Sequence, residues 1–132
     1  MKVTKAPPSR HFKSPKDLEA WLERNHAKET ELWVKLAKKG SGMRSVTYQE
    51  AVDVALCYGW IDGLARSLDD SFYLQRFTPR KPKSNWTETN CRKAEAFIAQ
   101  GRMKPSGLRA IENANVAGQW KPAAAGEPGK AR

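Results

Sequence analysis

The sequence predicts an α+β fold, a single domain in which a small antiparallel sheet of about three strands packs against four helices. Three observations carry this prediction. Apolar residues recur at helical spacing in some stretches and alternate at a period of two in others. Each change of period coincides with a capping residue, a glycine or a proline. The chain, at 132 residues with 39% hydrophobic and 29% charged residues, is also long enough to bury one core without staples.

Residues 1–13 contain two prolines and four cations but no periodicity, and are expected to form a disordered basic tail. Ser14-Pro15 opens the first helix: the Ser14 hydroxyl caps free amides, and Pro15 sits where its missing N–H costs nothing. Leu18, Trp21 and Leu22 form its apolar stripe, and His26 is expected to cap its C-terminus. Glu31 to Lys39 alternates as a strand with Leu32, Val34 and Leu36 on one face, and Gly40-Ser41-Gly42 ends it. The loop from Gly40 to Ser45 has two glycines near basic residues but lacks the spacing of a phosphate-binding loop, so it reads as a plain connection.

Thr47 and Glu50 form a capping box for a helix over residues 48–58, apolar on most of its surface and therefore expected at the centre of the core; Gly59 stops it. Trp60 to Leu68 and Phe72 to Thr78 read as strands joined by the turn-forming Asp69-Asp70-Ser71, and Pro79 and Pro82 end strand character. Thr87 caps a helix over 88–100 with Cys91, Ala94, Phe97 and Ile98 inward. Pro105 begins the last helix, with Leu108, Ile111 and Ala114 inward, and Trp120 folds back as a plug. The domain is thus expected over 14–120, with a second disordered tail over 121–132.

Composition narrows the function. The formal charge is +10, but residues 1–13 contribute +4, residues 121–132 contribute +2, and the short cluster Arg76, Arg80, Lys81 and Lys83 supplies another +4. Basic tails give weak attraction to polyanions, whereas a cluster on a rigid turn points to a defined anionic partner. Cys57 and Cys91 show no metal or redox spacing and read as buried free thiols of a reducing compartment. The N-terminal residues have no apolar signal region and no apolar run is long enough to span a membrane, so a cytoplasmic location is expected. With His11 and His26 as the only histidines there is no Ser/His/Asp set, the paired Asp69-Asp70 lies in a turn, and no His/Cys/Asp cluster suits a metal. A non-enzymatic chain without cofactor is the expectation.

The candidate binding residues are Trp60, Asp62, Gly63, Arg76, Arg80, Lys81, Lys83, Ser84, Asn85 and Trp86. Arg76 and Arg80 offer guanidiniums for paired N–H bonds to an anion, Ser84 and Asn85 offer neutral hydrogen bonds, and Trp60 and Trp86 offer stacking planes. This combination suits an anionic small ligand or single-stranded nucleic acid. On the competing reading both tryptophans are core, Asp62 serves local amides or a salt bridge, and the arginines pair with Asp62, Asp69 and Asp70. A third possibility is a protein-interaction module.

Four ordered stretches, residues 18–42, 47–63, 68–86 and 101–120, resemble the YdeI/OmpD-associated (bacteriocin-protection) family. The matching positions are Trp60, Ile61, Asp62 and Gly63, then Phe77, Thr78, Pro79 and Arg80, then Ser84, Asn85 and Trp86. The resemblance implies a role in protection against antimicrobial peptides and association with an outer-membrane porin, and it carries no catalytic residues. The family is loosely grouped with YjbR/CyaY-like proteins, some of them considered to bind DNA or iron, which implies helices against an antiparallel sheet. The sequence departs from the pattern at Tyr58, where a Phe is expected, and in its Ala/Gly/Pro-rich end, which replaces a helical segment. An iron role would need an acidic ridge, which this sequence lacks. Direct capture of cationic peptides is electrostatically unfavourable at +10, so protection is expected to act through a cytoplasmic partner or ligand.

Overall fold

The computed structural model describes residues 6–121, with elements β1 (Arg10–His11), α1 (Pro15–Asn25), β2 (Leu32–Ala37), α2 (Tyr48–Cys57), β3 (Trp60–Ser67), β4 (Phe72–Pro79), α3 (Glu88–Ala99) and α4 (Pro105–Val116). The class is α+β, with four helices and a mixed four-stranded sheet in the order β1-β2-β4-β3. Two compact units divide the chain: the first draws on residues up to Ala55 and on Ile61–Pro79, the second on Leu56–Trp60 and on residues from Arg80 onward. Along the chain the division falls within α2 and β3.

In the first unit, β2 and β4 pair antiparallel from Leu32↔Phe77 to Ala37↔Phe72. Leu32, Val34 and Leu36 are buried while Trp33, Lys35 and Ala37 are half-buried, the alternation expected of a strand with one face in a core. The turn before β4 is built by Asp69, whose Oδ1 accepts from the amides of Ser71 and Phe72, both at 2.9 Å. Those two N–H groups hold the Asp69 carboxyl below its usual range. The helix starts follow their capping residues: Ser14 Oγ accepts from Asp17 N at 3.3 Å, and Thr47 and Glu50 exchange hydrogen bonds at 2.9 and 3.1 Å. His26 is the C-cap of α1, and its Nδ1 donates to Leu22 O at 2.7 Å.

The sheet has one strand more than expected. Arg10–His11 pairs parallel with Val34 and Lys35, inside a stretch expected to be a tail. The cause is Phe12: its side chain is 8% exposed and its carbonyl accepts from Val46 N at 2.8 Å, so one apolar anchor draws the preceding residues onto the edge of β2. The remainder of the expected tails, residues 1–5 and 122–132, lies outside the described residues.

In the second unit the burial is continuous from Leu56 to Trp60, covering the end of α2 and its exit. Gly59 makes that exit at φ 82°, a conformation costly for any residue with a Cβ. A Cβ on Gly107 would lie 2.2 Å from the Cys57 carbonyl oxygen, so α4 approaches the α2 end closely only because position 107 is glycine. The same end is stitched by Lys104 N to Cys57 O and by Ser106 Oγ to Tyr58 O, each at 2.9 Å. The buried positions of α4 are therefore Gly107 and Ala114 rather than the larger Leu108, which is 45% exposed. Ile98 of α3, also expected inward, is likewise 45% exposed. In α4 small residues mark the closely packed side, whereas α3 buries Phe97 together with Cys91 and Ala94, the three residues expected inward with Ile98. Thr87 Oγ1 caps α3 through Asn90 N at 3.0 Å, and Cys57 and Cys91 are buried thiols outside any disulfide.

Candidate anion-binding surface

The candidate residues divide between the two units: Asp62, Gly63 and Arg76 belong to the first, and Trp60 and the run Arg80–Trp86 to the second.

In the first unit, Asp62 Oδ2 accepts from the Tyr48 hydroxyl at 2.6 Å. A carboxylate at that distance favours the neutral phenol, and with burial it pushes the Tyr48 pKa up to about 12. Arg76 is held by Glu31, with Nη2 at 2.9 Å and Nε at 3.0 Å from the same carboxylate oxygen, while the other oxygen accepts from Trp33 Nε1 at 3.0 Å. Both partners are substantially exposed, so the pair contributes only about 0–1 kcal/mol; its consequence is that Arg76 is engaged by a carboxylate of its own unit, just before β2. Gly63 is exposed, and a Cβ there would meet nothing closer than 3.9 Å, so no close ligand approach requires glycine. Its carbonyl, with that of Leu64, accepts from the buried amide of Gln75 at 2.9 and 3.2 Å.

In the second unit the turn after β4 is rigid. Arg80 N–H donates to Gly59 O at 2.9 Å, Lys81 N–H to Ser84 Oγ at 2.7 Å, and Ser84 N–H to Lys81 O at 2.9 Å. The Arg80 guanidinium lies 3.9 Å above the Trp86 ring and donates to Asn85 O at 3.2 Å. Trp86 is fully buried, its ring meets Trp120 edge-on at 5.2 Å, and its carbonyl accepts from Lys121 Nζ at 2.7 Å. Its Nε1 is buried with no hydrogen-bond partner among the described residues, an unfavourable feature of about 1–3 kcal/mol that packing must offset. Lys121 N–H also donates to Cys91 Sγ at 3.3 Å, and burial pushes the Cys91 thiol up. Burial of Trp60 (2% exposed) and Trp86 (0%) corrects their expected part as stacking planes: they are core, and Arg80 covers a Trp86 face. Arg80 braces the turn, and Lys81, Lys83 and Asn85 are the candidates left on its exposed side.

Charge is unevenly shared. The second unit holds eleven Lys and Arg against four Asp and Glu, a net +7 of the +10, while the first holds thirteen against ten. Tyr48 and Gln75 are the polar residues that sequence reasoning missed. Gln75 left a signal, a polar residue inside an apolar strand; the Tyr48–Asp62 pair joins positions fourteen residues apart and left none. Among the described residues no group of three or more His, Cys, Asp or Glu is placed to hold a metal ion, and no helix is long and apolar enough to cross a membrane. No curated protein and no solved structure matches the chain. The model of the family described as Domain of unknown function (DUF8412) matches residues 10–110, and the chain belongs to that family.

Proposed function

We propose that the chain is a non-enzymatic binding protein whose second unit engages an anionic partner, single-stranded nucleic acid above all, through Lys81 and Lys83 on the braced turn after β4. The observation that carries this reading is the charge imbalance of that unit, eleven cations against four carboxylates, joined to a turn whose backbone is already hydrogen-bonded. The hydrogen-bonded turn spares the cost of ordering its backbone, and two exposed ammonium groups gain by releasing counterions from a polyanion. The partner's backbone, rather than its bases, is what this surface suits, because both nearby tryptophans are buried.

Other features agree with binding rather than catalysis. His26 Nδ1 donates to the Leu22 carbonyl at a helix end and His11 Nε2 donates to the Arg44 carbonyl at 2.7 Å, so both rings have a structural role. The resemblance to the YdeI/OmpD-associated family supports a protective role exerted from the cytoplasm, where buried thiols outside any disulfide are at home.

The test is fluorescence anisotropy of a labelled single-stranded oligonucleotide titrated with the full chain over a salt series. Lys81→Ala/Lys83→Ala is expected to weaken binding about tenfold at low salt and to reduce the salt dependence. Equal binding by wild type and variant would overturn the assignment to this turn.

A further inference from the structure

A depression lies in the first unit, on the side of the Gly40–Ser45 loop, with a volume of about 490 Å³. Leu36, Met43, Arg44, Tyr48 and Tyr73 line it, together with loop backbone. Leu36 and Tyr73 are cross-strand partners of β2 and β4, so the floor belongs to the sheet. The loop is pinned rather than loose. Ser41 Oγ accepts from Met43 N at 3.2 Å, the Arg44 carbonyl accepts from His11 Nε2 at 2.7 Å, and Ser45 Oγ accepts from Ala37 N at 2.9 Å while donating to Val46 O at 2.7 Å. With its backbone fastened on both sides, the loop presents Met43 and Arg44 outward: Met43 is 48% exposed, and the Arg44 guanidinium makes no hydrogen bond or ion pair among the described residues. The Tyr48 ring is 42% exposed and is oriented by its hydroxyl bond to Asp62.

We infer that this depression is a site for a small aromatic anion of the mononucleotide kind, with its planar ring against Tyr48, Tyr73 and Met43 and its phosphate on Arg44. The volume falls in the range of small-molecule sites, about 300–1,000 Å³. Two tyrosine rings and a thioether give flat, polarisable contact, and an unengaged guanidinium forms a bidentate pair with phosphate. Asp62, sitting at the Tyr48 hydroxyl, disfavours negative charge at that end and so sets the polarity of the ligand with its acidic group at Arg44. The site shares no residue with the turn at 80–86, so the two assignments stand or fall separately.

The experiment is a methyl NMR titration of the full chain labelled at its methionines, with adenosine monophosphate, adenosine and inorganic phosphate as probes. The Met43 methyl is expected to shift with the mononucleotide while Met103, buried in the second unit, stays in place. Adenosine and phosphate are each expected to bind at least about tenfold more weakly, and Arg44→Ala to weaken the mononucleotide to the level of adenosine. A Met43 signal unmoved at millimolar mononucleotide would overturn the site. Phosphate binding as well as the mononucleotide would overturn the aromatic part, and an Arg44→Ala variant with undiminished affinity would overturn the anionic part.

Discussion

In the first unit thirteen lysines and arginines face ten carboxylates, and several of its polar side chains are visibly engaged: Arg76 by Glu31, Asp62 by Tyr48, Lys38 by Ser67 at 2.7 Å. In the second unit eleven cations face four carboxylates, and two of the cations, Arg80 and Lys121, serve the inside of the fold by stacking on Trp86 and bonding its carbonyl. The difference teaches that a basic residue near a candidate site is not thereby part of it. Arg80, like Arg76, looks like an anion ligand in the sequence, yet its plane lies on a buried indole, whereas Lys81 and Lys83 beside it are exposed.

The contrast is broken most forcefully in the second unit's interior. Trp86→Ala is expected to destabilise by about 3–5 kcal/mol, since it empties the space under Arg80 and beside Trp120; denaturant unfolding measures it. Gly107→Ala follows at about 3 kcal/mol, because its Cβ meets a backbone carbonyl that cannot move aside, while exposed neighbours of α4 tolerate alanine. Arg80→Ala is expected to lose about 1 kcal/mol of stability through the cation–π stack, with oligonucleotide affinity reduced less than by the double lysine change.

How much of this was legible in the sequence depends on the range of the interaction. The caps at Ser14, Thr47 and Thr87, the stop at Gly59 and the turn at Asp69 are each decided by residues within about one helical turn, and all are found where local chemistry places them. The β1 strand was missed because a two-residue element has no period; only buried Phe12 betrays it. On α4, Ala114 is buried as expected, but Leu108 is not: hydrophobicity favours Leu108, whereas the contact there is governed by how closely backbones approach, which selects Gly107. The candidate site divides in the same way. The exposed Lys81 and Lys83 were readable as a basic turn, but the burial of Trp60 and Trp86 depends on residues distant in the chain.

The smallest expected effect belongs to the first unit. Asp62→Asn should return the Tyr48 phenol from about 12 toward its ordinary value of 10.0, read by NMR titration of the ring. The carboxylate favours the protonated phenol, so its contribution to stability is complete below pH 10.0 and is lost as pH rises through about 12. A Tyr48 titration unchanged by Asp62→Asn would show that the hydrogen bond does not control the phenol.

The most direct test compares two variants of equal charge. Lys81→Ala/Lys83→Ala and Lys16→Ala/Lys39→Ala each lower the formal +10 by two, the first in the second unit and the other at exposed positions of the first. Binding of a single-stranded oligonucleotide is measured for both over the same salt series. The logarithmic salt slope is expected to fall by about 1.4 for Lys81→Ala/Lys83→Ala and to stay near wild type for Lys16→Ala/Lys39→Ala. Equal losses in the two variants would mean that net charge alone draws the polyanion and that the turn after β4 is no site.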